Sequence, residues 1–402
     1  MLAPSVAHGS PRDADNRGST AKAAPEAKTG FYRPELDGLR FFAFLAVFWS
    51  HAAPREPGPW MKVAGASGTP WIIASVVAGG WGVDLFFALS SYLITELLLQ
   101  EKAQQGRIAV GAFWVRRALR IWPLYIAFVL AALFVIPRFL VDRLSGGYAL
   151  AFGTFTANWA LAAWGMVPSC VGPLWSVSIE EQFYLVWPLV TRSLSRVRLG
   201  VLCAALIPAA IGVRAYLIFK TGDAFGLSVW CNTFARLDPI AMGALLAVVL
   251  RQRKPDLRPA VARGLLALAA VAVVVTTRAE PFVAARPLLG SLVYTVNAVA
   301  CTAALAGTLA LGRVAGGVLA RPTLVYLGRI SYGLYVFHVF AIRVVAEARG
   351  ERASLAMHAL MPLASFALTL ALAAASYRWL ETPFLRLKQR WSRIGKEPTA
   401  PT

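Results

Sequence analysis

Several ionisable residues stand where a long apolar chain ought to have none. The first group is Glu35, Asp37 and Arg40, followed by the uncharged run Phe41–Ser50 and then His51. An imidazole accepts a hydroxyl proton near neutral pH, so a histidine held in such a segment suits general-base chemistry. Arg40 and His51 are 11 residues apart, about three helical turns, which puts them on one face and roughly 16 Å apart along the axis. The same residues also fit plainer roles: Asp37 as a charge at a helix N-terminus, Arg40 as a snorkelling anchor, His51 as an interfacial side chain.

Four further stretches have the same character. Asp84 opens an apolar run through Phe86, Phe87, Ser90 and Ser91, either as an N-cap carboxylate or as a group facing a cavity. Arg116, Arg117 and Arg120 follow Phe113 and precede Pro123. Arg116 and Arg120 have i,i+4 spacing, and the three guanidiniums read either as a topology signal or as a fork for a phosphorylated cofactor. Trp175, Ser176, Ser178, Glu180, Glu181 and Tyr184 come next. Ser178 and Glu181 have capping-box spacing, which leaves the adjacent Glu180 and Gln182 without an account. One glutamate of the pair can cap while the other faces the bundle and orients an imidazole. Finally, Ser331, Tyr335 and His338 share one helix face, for structural hydrogen bonding or for catalysis.

These groups must be carried by membrane helices. The 402 residues are 58% hydrophobic and 15% charged, well away from the usual balance of a soluble domain. Hydropathy marks spans near 37–53, 81–99, 119–137, 174–192, 199–218, 234–250, 262–277, 288–311, 323–346 and 355–380, each near the length that crosses a bilayer. An all-α polytopic bundle of ten spans is expected. Placing both termini in the cytoplasm puts most of the 40 Lys and Arg on the inner side, as the positive-inside rule requires. The segment 148–166 would invert everything after it if it crossed, so it reads as a re-entrant or surface segment. Residues 1–30 form an expected cytoplasmic tail with no signal-peptide core, 31–387 the membrane domain, and 388–402 a basic cytoplasmic tail. The net charge of +20 punctuates apolar blocks and forms no basic stripe, so no nucleic-acid partner is expected. Cys170, Cys203, Cys231 and Cys301 show no metal or redox spacing, although Cys170 and Cys231 are candidates for a disulfide at the outer face. No metal is expected.

Taken in order, these stretches, with Trp379, Glu381 and Pro383 near the end, resemble the acyltransferase family 3 membrane proteins over about 31–387. The resemblance implies a ten-span enzyme that takes an acyl group from cytoplasmic acyl-CoA to a hydroxyl, usually on a sugar. It implies that His51 and Arg40 are the family's first-span pair, that Arg117 and Arg120 are its paired arginines, and that its glutamate is Glu180 or Glu181, with Glu181 favoured. Ser91 and Tyr92 replace residues that the family often has as Gly and Phe. The chain resembles the stand-alone type without a hydrolase-like domain, in which the membrane site itself must finish the transfer. Such proteins acylate lipopolysaccharide, exopolysaccharide or macrolide sugars, and the Ala-, Arg- and Val-rich composition tilts toward the last.

The expected mechanism is direct O-acyl transfer in the inner (plasma) membrane. Arg116, Arg117 and Arg120 would hold the acyl-CoA phosphates, and His51, oriented by Glu181, would deprotonate the acceptor hydroxyl. Arg40, Tyr184 and backbone amides are the candidate oxyanion donors. The competing reading is a transporter of a carbohydrate or acyl donor, in which the same polar residues would line a permeation path.

Overall fold

A computed structural model of the chain describes residues 32–251, 253–312, 317–349 and 355–389. Among them every regular element is a helix. In chain order these are α1 (Pro34–Ala52), α2 (Pro57–Ala78), α3 (Gly82–Gln105), α4 (Val110–Phe134), α5 (Gly146–Gly153), α6 (Ala157–Trp164), α7 (Trp175–Ser193), α8 (Arg196–Thr221), α9 (Leu227–Trp230), α10 (Leu237–Leu250), α11 (Pro259–Val283), α12 (Pro287–Leu311), α13 (Pro322–Arg329), α14 (Ser331–Arg349), α15 (Leu355–Ser376) and α16 (Thr382–Gln389). The expected terminal segments 1–30 and, from residue 390 on, the basic tail lie outside the described residues.

Each of the ten segments marked by hydropathy coincides with a helix, yet the count of ten spans is not confirmed. Among the described residues six helical runs are long and apolar enough to cross a bilayer, seven if the bent pair Pro322–Arg329 and Ser331–Ala348 is one span. The shortfall has a physical cause. Helices α1 and α7 carry the charges of the candidate site, Glu35, Asp37 and Arg40 in one and Glu180, Glu181 and Arg192 in the other, while α10 has only 14 residues. Helix α2 was not among the segments marked by hydropathy; it breaks at Gly65, whose φ of +64° suits a residue without Cβ. The 148–166 segment forms two eight-residue helices, α5 and α6, with Phe155 left-handed between them. Eight residues rise only about 12 Å, so neither helix crosses alone.

Only 22% and 17% of the apolar stretches of α8 and α11 are buried, against 56% for α12. They present Val201, Leu268, Val271 and Val275 to the surroundings, a surface that only lipid would cover without cost. The chain is a multi-pass membrane protein. In lipid there is little transfer energy to gain between helices, so close packing must hold them. Helix α1 shows how: a Cβ at Gly79 or Gly82 would strike the carbonyls of Ala46 and Ala43, and one at Gly328 the backbone of Asp37. Small residues thus let α1 sit directly against α3 and α13. Its phenylalanines Phe41, Phe44 and Phe48 fall on one buried face.

Candidate active site

The cavity of interest has a volume of about 90 Å³ and lies among α1, α3, α4, α7 and α14. Its polar lining is Arg40 from α1, Ser90 from α3, Arg117 and Arg120 from α4, Ser176, Glu180 and Tyr184 from α7, and Ser331, Tyr332 and Tyr335 from α14. The 68° break between α13 and α14 brings the first turn of α14 to the cavity, and broken helices are tolerated where they line such a space. Several lining groups restrain each other. Ser176 and Tyr335 share a hydroxyl hydrogen bond of 2.7 Å, Tyr335 also donates to the Pro173 carbonyl at 2.8 Å, and Ser90 bonds the Tyr184 hydroxyl. The Arg117 guanidinium lies 5.6 Å from the Tyr184 ring centre and 5.5 Å from that of Phe113, a cation–π arrangement that fixes its direction. Asp37 lies outside this lining and accepts from Arg40 at 3.3 Å.

Arg116 does not join the other two arginines. It is buried and pairs with Glu101 of α3 at 3.4 Å, so the members of α4 that line the cavity are Arg117 and Arg120. The two glutamates that the resemblance offered, with Glu181 favoured, face different partners. Glu180 lines the cavity, whereas Glu181 accepts the indole N–H of Trp122 at 3.0 Å. The capping box is not made either: α7 begins at Trp175, after Leu174, which places Ser178 inside the helix. Asp84 is likewise not an N-cap, since α3 begins at Gly82; it receives Arg236 at 2.6 Å, and both are buried. Trp175 is buried behind the cavity against Phe87 and Trp230.

His51 is exposed and lies outside this lining, and no hydrogen bond joins it to either glutamate among the described residues. Its Nδ1 lies 2.9 Å from the Val47 carbonyl. A carbonyl only accepts, so Nδ1 carries the proton and Nε2 keeps the lone pair. The His51 ring meets that of His338 at 5.0 Å, and His338 in turn touches Tyr335 of the cavity wall, ring centres 5.4 Å apart. The tie between His51 and the cavity therefore runs through α14.

Sequence reasoning did not single out Arg214, Arg236 and Asp238. Arg214 and Asp238 form a bidentate pair at 2.9 and 3.0 Å, fully buried. The Arg236 guanidinium lies 4.4 Å from the Trp230 ring centre and 5.1 Å from that of Tyr294. Charges inside apolar helices were the available signal. Ser90 was named without being assigned to the site, and Tyr332 was not singled out. Glu381 sits buried on a π-helical turn, Tyr377–Glu381, that packs against α4, the helix of Arg117 and Arg120. The four cysteines are free and buried, so Cys170 and Cys231 are not paired.

The fold is that of a multi-helix membrane protein with a small cavity inside its bundle, lined by Arg40, Arg117, Arg120 and Glu180. A family model described as an acyltransferase domain matches residues 33–378. The chain belongs to that acyltransferase family. It is 27% identical over 386 residues to the peptidoglycan O-acetyltransferase OatA of Listeria monocytogenes serovar 1/2a, covering 88% of this chain and 56% of that protein. It is 27% identical over 379 residues to YrhL of Bacillus subtilis (strain 168), named "Putative peptidoglycan O-acetyltransferase", covering 88% and 55%. The chain thus spans little more than half the length of these relatives. No solved structure matches it.

Proposed function

We propose that the protein transfers an acetyl group from acetyl-CoA to a sugar hydroxyl in the inner (plasma) membrane. One observation carries this reading: Arg40, Arg117 and Arg120 share a cavity with a single carboxylate, Glu180. Asp37 offsets Arg40 from outside the lining, and Arg117 and Arg120 with Glu180 still leave an excess of positive charge at the cavity that suits the phosphates of a coenzyme thioester. A volume of about 90 Å³ favours a short acyl group over a long one.

In this reading the donor binds from the arginine side and extends its thioester past Arg40. The acceptor approaches His51, which is exposed. His51 Nε2 takes the hydroxyl proton, the oxygen attacks the thioester carbon, and the proton leaves on the departing thiol. Arg40 and Tyr184 are the cavity groups able to donate to the oxyanion. Glu180 acts by fixing the arginines and does not touch His51.

The relatives' names make cell-wall glycan the first acceptor to try, with a macrolide glycoside as the second. The purified protein in lipid nanodiscs, given radiolabelled acetyl-CoA, should release free CoA only when one of these acceptors is present, and should label it. Labelled donor crossing a sealed vesicle unchanged, with no CoA released, would support a transporter instead.

A further inference from the structure

The buried histidine of α14 has no role in the steps above. His338 is 1% exposed, and its Nδ1 lies 2.6 Å from the Tyr335 carbonyl. That carbonyl can only accept, so Nδ1 is the protonated nitrogen and Nε2 holds the lone pair. Nε2 is buried and has no hydrogen-bond partner among the described residues. A buried acceptor left unmatched is costly and asks for an explanation. The polar ring packed beside it is that of His51, which stands edge to face with His338 at 5.0 Å and 74°. Phe44 packs against the same His338 ring at 6.2 Å, an apolar contact with no proton to give. Arg55, the charged group next to His51 in sequence, is tied to the Ser50 carbonyl at 3.1 Å.

We infer that His338 is a positioning residue for His51: it stays neutral and presents its unpaired Nε2 and ring electrons to the imidazolium that His51 becomes. The inference rests on the proposed role of His51 as base. As the acceptor O–H bond breaks, an N–H bond forms at His51 Nε2, and the same proton later leaves on the thiolate of the departing coenzyme. His338 neither gains nor loses a proton. It favours the charged form of His51, which exists only after proton transfer has begun, so its effect falls on kcat and not on donor binding.

Two near-isosteric variants separate this role from a structural one. In His338→Asn the amide N–H replaces Nδ1 and keeps the bond to the Tyr335 carbonyl, but no acceptor remains at the Nε2 position. In His338→Gln the amide oxygen reaches the Nε2 position and keeps the acceptor, while the Tyr335 bond is lost. The assay is CoA release from acetyl-CoA with a peptidoglycan fragment or macrolide glycoside that the unaltered protein acetylates, alongside thermal unfolding in the same nanodiscs. Removing the lone pair beside the charged ring predicts a kcat for His338→Asn several-fold lower, with KM for acetyl-CoA unchanged and His338→Gln faster than Asn. Asn equal to or faster than Gln, or a loss confined to KM or to unfolding temperature, overturns the inference alone. No CoA release by the unaltered protein with either acceptor overturns the proposed function, and this inference with it.

Discussion

Trp122 donates its indole N–H to Glu181 at 3.0 Å, while the preceding glutamate, Glu180, lines the cavity with Arg40. Successive residues on a helix are turned by about 100°, so two adjacent carboxylates cannot serve one site. Glu180→Gln removes the charge that faces the arginines and should lower kcat/KM by about 10- to 100-fold, the usual scale for a charged hydrogen-bonding partner. Glu181→Gln keeps an oxygen for Trp122 and should stay within about threefold. Steady-state CoA release from both variants decides between them.

The α4 arginines should separate in the same way. Arg117→Ala and Arg120→Ala should each raise KM for acetyl-CoA, by about tenfold or more, and weaken its dependence on salt. Arg116→Ala removes the charged partner of buried Glu101, leaving it the Ala109 N–H, and should lower stability by about 3 kcal/mol. Thermal unfolding together with KM for each variant checks the split.

Asp84 should prove a stability residue. Its partner Arg236 is fully buried within an aromatic box, and removing one member of such a pair typically costs about 3–5 kcal/mol. Asp84→Ala should therefore unfold at a markedly lower temperature, whereas Asp84→Asn keeps an oxygen for Arg236 and should lose less. Activity of the folded fraction should change by no more than a few-fold. A hundredfold loss at unchanged unfolding temperature would instead put Asp84 in the chemistry.

Much of this was legible in the sequence because it is local. The ten apolar segments are all helical, and Arg40, Arg117, Arg120, Ser176, Tyr184, Ser331 and Tyr335, singled out by type and spacing, do share one cavity. What was not legible depends on partners distant in the chain. Arg116 leaves the fork because Glu101 on α3 claims it, and Glu181 is diverted by Trp122 on α4. The family resemblance implied a His51–Glu181 pair, whereas the packing of α14 against α1 gives His51 a histidine neighbour. Helix α2 was not among the segments marked by hydropathy; Pro57 and Pro59 fall in its first turn, where proline is tolerated, and its break is at Gly65.

The central claim is that His51 is the base of an acetyl transfer. Its most direct test compares the unaltered protein with His51→Ala in nanodiscs, following acceptor-dependent CoA release and unfolding temperature together. General-base assistance is worth about 10²–10⁴ in rate, so the variant should lose at least about a hundredfold in turnover at unchanged unfolding temperature. Turnover equal to that of the unaltered protein would contradict the account.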